Sequence, residues 1–183
     1  MVSHAYWRAS GLNARWRFDL RLWRPPPGAW SGENRTVIIG LILAMIALNV
    51  VRIVATPVAV PFAELERYPT TAFRISVLIM GAVVSGVAEE AAFRGLMQSR
   101  LERIGPMFAI SVSSAVFVLM HAGHGIGAML VAAPGFFIAS VVYGVLALRS
   151  GSVLPGMVLH VAGDAAFTYF VLLGGDASLL FVH

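Results

Sequence analysis

Residues Thr36 to Val51 form a charge-free run, continued past Arg52 by Ile53 to Phe62, and predict a first membrane-crossing helix. A helix needs about 20 apolar residues to cross the hydrocarbon core, which this run supplies. A cleaved leader is the rival reading, but 35 residues of leader with no clear small-residue cleavage site favour an anchor. After a polar loop holding Glu64, Glu66 and Arg67, the chain is apolar again from Ile75 to Ala88 and runs on into Glu89-Glu90-Ala91-Ala92-Phe93-Arg94. No turn signal intervenes before Gly105-Pro106, so one long helix is expected over residues 71–104. The next stretch, Ile104 to Leu148, carries no Asp, Glu, Lys or Arg and is too long for one span. It predicts two helices joined near His121-Ala-Gly-His124-Gly. Arg149-Ser-Gly-Ser then forms a polar turn, and Val153 to Leu173 is the fifth apolar segment, with Pro155 near its start.

The expected fold is therefore all-α, a polytopic transmembrane helix bundle of about five spans. Composition agrees, since 58% of the 183 residues are hydrophobic and only 12% charged, with a mean hydropathy of +0.82. Soluble domains carry about 25% charged residues. Three segments follow: an Arg- and Trp-rich stretch over 1–35, a first helix and loop over 36–70, and a catalytic membrane core over 71–183. The first of these is either a membrane-surface segment or a disordered tail, and it carries no assigned chemistry.

Charge adds topology. All basic residues are arginines, and Arg8, Arg15, Arg17, Arg21, Arg24 and Arg35 precede the first span. These six, with Arg94, Arg100, Arg103 and Arg149, outnumber Arg52, Arg67 and Arg74 on the other side and put the amino terminus in the cytoplasm. The pI near 10.3 does not indicate nucleic acid, because a groove reader needs a basic face on a water-soluble scaffold. The absence of cysteine excludes disulfides, thiolate metal sites and a cysteine nucleophile.

Ionisable groups inside a bilayer cost about 2.5–3.5 kcal/mol each at a helix centre, so they persist where they are paired or functional. The informative ones are Glu89, Glu90, Arg94, His121, His124, His160 and Asp164. Glu90 and Arg94 are four apart with the acid first, the favourable order for an intrahelical ion pair and a structural role. Glu89 projects about 100° away around the helix, and no basic residue follows it at three or four positions. His160 and Asp164 share one helix face, and Phe117 lies one turn before His121. At ~1.5 Å rise per residue, Glu89 and His121 stand at similar heights of roughly 22–24 Å above the Gly105-Pro106 turn, Asp164 near ~20 Å and His160 nearer ~14 Å above the next one. A carboxylate and an imidazole facing one another in a semi-apolar cavity can hold a water and take its proton. A second histidine opposite can steady the oxyanion formed when that water attacks an amide, and Asp164 either does so in its protonated form or orients His160. His124 reads as structural, and Asp176 and His183 as solvated. Gly81 with Ser85, and Ala82 with Gly86, are spaced to let the second helix pack closely on a neighbour.

The series EExxxR at Glu89 to Arg94, FxxxH at Phe117 to His121 and HxxxD at His160 to Asp164 resembles, in this order, the CAAX protease and bacteriocin-processing family of intramembrane peptidases. The resemblance covers residues 71–173. It implies that Glu89 and His121 activate water, that His160 and Asp164 stabilise the oxyanion, and that Glu90, Arg94 and Phe117 support them. It further implies a hydrophobic, lipidated or membrane-associated peptide or protein as substrate, membrane lipids as surroundings, and location in a prokaryotic cytoplasmic membrane. If zinc is bound, Glu89, His121, His160 and Asp164 are the candidate ligands; the lack of HExxH favours metal-free glutamate catalysis. Two other function classes fit intramembrane Glu, His and Asp: a proton-coupled transporter, against which the lack of an inverted repeat argues, and a non-catalytic immunity or partner protein.

Overall fold

The computed structural model describes residues 28, 30–55, 70–121 and 126–172. The Arg- and Trp-rich stretch up to residue 27, the loop with Glu64, Glu66 and Arg67, the turn at His124 and the tail with Asp176 and His183 lie outside the described residues. Within them the chain is all-helical, as the apolar segments require: a backbone in lipid must satisfy its own N–H and C=O groups, and a helix does so within one segment.

Five helical segments are present among the described residues, labelled here in chain order. Helix α1 is Gly32–Ala55. Helix α2 covers 71–101 and is not uniformly α-helical: π-helical stretches occupy Ile79–Val84 and Ala91–Gln98. Helix α3 is Pro106–Met120, α4 is Ile126–Ser150, and α5 is Leu154–Phe167 followed by a π turn at Thr168–Leu172. By length and apolarity alone, α1 and residues Leu130–Ser150 of α4 can cross a membrane. Where the described residues reach them, the expected limits hold to within a few residues, while the continuation of the first run over 56–62 lies outside the described residues; the long second helix stops at Leu101 rather than at 104. Residues 102–104 make the turn, in which Ile104 N–H donates to Leu101 O at 2.9 Å. Gly105 follows, and Pro106 opens α3 where a missing N–H costs nothing.

The described chain forms two compact units. The first takes residues up to Ile42 and Glu89–Gly156. In it α3 packs on α4 and on the π-helical end of α2, burying Phe93, Ala109, Ile110, Phe117, Tyr143, Leu146 and Ala147. Asn34 Nδ2 donates to Arg149 O at 2.9 Å, which supplies one of the carbonyls that the end of α4 leaves without an intrahelical donor. Gly151, at φ +65°, makes the left-handed step between α4 and α5 that a residue with a Cβ adopts only with strain. Ser150 Oγ donates to Ser152 O at 2.8 Å, and Ser152 Oγ accepts from Leu154 N–H at 3.2 Å.

The second unit takes Leu43–Ala88 and the chain from Met157 onward. The small-residue spacing of α2 proves selective there. A Cβ on Gly86 would sit 3.0 Å from Val161 Cγ2 and 3.2 Å from Val161 N of α5, whereas one on Gly81 would meet nothing within 4 Å. Many large apolar side chains stay outside both cores, among them Leu43, Val54, Leu119 and Val131, as expected of helices whose outer surface meets lipid.

Candidate active site

Helix α2 carries Glu89 and Glu90 at the end of its α-helical stretch Ser85–Glu90 and Arg94 in the π-helical stretch that follows. Arg94 and Glu90 are both fully buried, and Arg94 Nη1 lies 2.9 Å from Glu90 Oε1. Arg94 Nη2 also donates to Ser140 Oγ at 2.8 Å and to Ser140 O at 3.1 Å on α4. The guanidinium is further surrounded by rings, with its Cζ 5.1 Å from the Phe117 centroid, 5.4 Å from that of Tyr143 and 5.9 Å from that of Phe93. A cation taken from water is tolerable only with such a set of acceptors and ring faces about it. The four-residue spacing of Glu90 and Arg94 thus produces a buried ion pair that ties α2 to α4.

One further turn along, Gln98 is also fully buried. Its Nε2 donates to Gly144 O at 3.0 Å and to Glu102 Oε1 at 3.1 Å. Neither Gln98 nor Ser140 stood out in the sequence. The repeat of polar residues at 90, 94, 98 and 102, each four apart, is the feature that marks this stripe.

Phe117 carries the arrangement on to His121. Its ring stands edge-on to Phe93 with centroids 5.2 Å apart and is 4.6 Å from the His121 ring. Phe136 of α4 covers the imidazole at 4.7 Å. His121 is the residue at which α3 ends, and its backbone N–H turns to the carbonyls of Val118 and Leu119. Its ring Nδ1 lies 2.8 Å from Phe117 O. A carbonyl oxygen only accepts, so Nδ1 carries the proton, and in the neutral ring Nε2 then has the lone pair. Glu89, adjoining the buried pair, is half-buried.

His160 and Asp164 lie on α5 in the second unit. His160 Nε2 is 3.4 Å from Asp164 Oδ2, the neighbour relation expected of residues four apart on a helix. The second oxygen, Asp164 Oδ1, accepts from Arg52 Nη1 at 3.1 Å. Arg52, which the sequence offered as a charge interrupting the first apolar run and as one of the three arginines on the far side of the membrane, is therefore a partner of the HxxxD motif from 112 residues away. Its Cζ is also 4.0 Å from the Phe167 ring centroid. An arginine inside an otherwise apolar span was the available sign that something opposite balances it.

Residues 71–166 match the family described as type II CAAX prenyl endopeptidase, Rce1-like. The chain belongs to that family. This type II CAAX endopeptidase-like chain is thereby a membrane protein of a peptidase family, and the match spans all three motifs, from EExxxR on α2 to HxxxD on α5. No curated protein sequence and no solved structure matches it. Among the described residues, no group of three His, Asp or Glu side chains comes together as a metal site requires.

Proposed function

We propose that this chain is an intramembrane endopeptidase that hydrolyses a peptide bond of a membrane-associated or lipidated protein or peptide, with Glu89 and His121 activating the water. The observation that carries the reading is the state of His121. With Nδ1–H held by Phe117 O at 2.8 Å and the ring between Phe117 and Phe136 at 4.6 and 4.7 Å, the imidazole has a fixed plane and an Nε2 able to accept a proton or a hydrogen bond. Fixing the tautomer and plane of a histidine is a general requirement for its use as a base.

Glu90 and Arg94 neutralise one another, so their role is to hold the end of α2 in place while the adjacent Glu89 does the chemistry. In the reaction, a water gives a proton to Glu89 as its oxygen bonds to the amide carbon, and the carbonyl π electrons move onto oxygen. Collapse of that tetrahedral species breaks the C–N bond, and the proton passes to the leaving amine. The family resemblance gives the pair His160 and Asp164 the stabilisation of the oxyanion, which a histidine N–H can perform with the aspartate as its partner. The arginine asymmetry supports a cytoplasmic amino terminus in a prokaryotic membrane. Substrates of CAAX type and bacteriocin-related or regulatory peptides both fit this chemistry.

The test is cleavage of a prenylated CAAX peptide and of a hydrophobic transmembrane peptide by the purified protein in lipid nanodiscs. Glu89→Gln is expected to abolish cleavage while retaining helical content and monodispersity. Wild-type turnover by Glu89→Gln would refute the assignment. Full biological protection by an uncleaving Glu89→Gln protein would favour a binding role instead.

A further inference from the structure

The second unit contains a charged constellation that the HxxxD motif describes only in part. Asp164 receives contacts on both oxygens: Oδ1 accepts from Arg52 Nη1 at 3.1 Å, and Oδ2 faces His160 Nε2 at 3.4 Å. The arginine is held in turn, its guanidinium resting 4.0 Å from the centre of the Phe167 ring one turn past Asp164. The Arg52 and Asp164 side chains are 37% and 22% exposed, whereas His160 is buried. Substitution of Arg52 consequently leaves no sealed carboxylate behind.

Sequence reading leaves Asp164 two roles, a protonated donor to the oxyanion or an acceptor that orients His160, and the Arg52 contact separates them. A guanidinium has only donors, so an oxygen that receives one at 3.1 Å is acting as an acceptor, and charge-assisted pairing stabilises the anion. An aspartate in that form has no proton to offer an oxyanion. Its second oxygen, turned to His160 Nε2, can accept a hydrogen bond from Nε2–H and set the plane of the ring, and the doubly protonated ring then has Nδ1–H as its second donor.

We propose that Arg52 is a positioning residue of this enzyme: it anchors Asp164 as an acceptor, and Asp164 in turn holds His160 by Nε2–H, so that the doubly protonated ring, its charge balanced by the aspartate, presents Nδ1–H to the oxyanion. The role rests on the peptidase reading above for its consequence in catalysis, but the chain of contacts from Arg52 to His160 is open to test without turnover.

Two readouts on the full-length protein in nanodiscs decide it. The first is the ring-nitrogen spectrum of ¹⁵N-histidine-labelled protein, with the His160 signals assigned by their loss in His160→Ala. Arg52→Gln is expected to move both His160 ring-nitrogen resonances, Arg52→Lys to move them less, and Arg52→Gln in an Asp164→Asn background to leave them where Asp164→Asn alone puts them. Unmoved resonances in Arg52→Gln, or an equal displacement with Asn at 164, would overturn the proposal. The second is kinetics with a prenylated peptide. A misplacement of catalytic groups by about 1 Å costs up to ~100-fold, so Arg52→Gln is expected to lower kcat by about 10- to 100-fold with KM little changed, Arg52→Lys to restore most of it, and the loss to vanish in the Asp164→Asn background. A loss of the same size in both backgrounds would make Arg52 a support of the fold and overturn the positioning role. Absence of wild-type cleavage would count against the peptidase reading alone, because the ring-nitrogen shifts still decide whether Arg52 acts on His160 through Asp164.

Discussion

Replacing Arg94 by methionine keeps an unbranched apolar stem and removes the guanidinium with its charge, leaving the fully buried Glu90 carboxylate without the group that now stands 2.9 Å away. Removing one partner of a buried ion pair costs about 3–5 kcal/mol, because the remaining charge keeps its desolvation penalty and loses its compensation. The two hydrogen bonds to Ser140, at 2.8 and 3.1 Å, go with it, and bonds to charged groups are worth about 1.5–3 kcal/mol each. These contributions overlap, so Arg94→Met is expected to destabilise by no less than about 3–5 kcal/mol. Removing both charges has a different outcome. In Glu90→Leu/Arg94→Met no buried ion remains, and apolar replacement of a buried pair is often close to neutral. The double variant is therefore expected within about 2 kcal/mol of wild type, recovering several kcal/mol relative to Arg94→Met. Reversible unfolding in mixed micelles, followed by circular dichroism for the wild type, the two single variants and the double, measures the whole cycle. Additive losses, or an Arg94→Met cost below about 1 kcal/mol, would refute the view that this pair is closed upon itself and structural.

Other expectations follow from the same geometry. Phe117→Ala removes a ring packed against Phe93, His121 and Arg94 and is expected to cost about 3–5 kcal/mol in unfolding, with a fall in peptide cleavage as the His121 plane loosens; cleavage at the wild-type rate would show that the stack does not hold the ring. Gly86→Ala brings a Cβ to 3.0 Å of Val161 Cγ2 and 3.2 Å of its backbone N, an overpacking of about 1–3 kcal/mol, while Gly81→Ala, with nothing within 4 Å, gains up to about 0.5–1 kcal/mol of helix propensity; equal melting temperatures for the two would remove the close α2–α5 approach at Gly86. Peptide cleavage is expected to survive exhaustive chelation, and loss of activity restored by added zinc would replace the glutamate mechanism with a metal-dependent one.

Much of this protein was legible because the bilayer leaves few choices. Apolar runs of spanning length must be helices, since lipid offers no partner for a bare backbone, and the described helices α1 to α5 follow from that rule with limits shifted by a few residues. Pairs four apart on one helix were equally legible: Glu90 with Arg94 and His160 with Asp164 meet through helical geometry alone. What the linear chain left undecided is of another kind. The π-helical stretches of α2 change the register of the groups that follow, and no residue pattern announced them. The Ser140 acceptor of Arg94 lies 46 residues away, and the Arg52 donor to Asp164 lies 112 away. Local periodicity states which face a charge is on but not what stands opposite it. That is settled by helix packing, and it is packing that turned a lone arginine in an apolar span into the partner of a motif and laid the ring of Phe136 over His121.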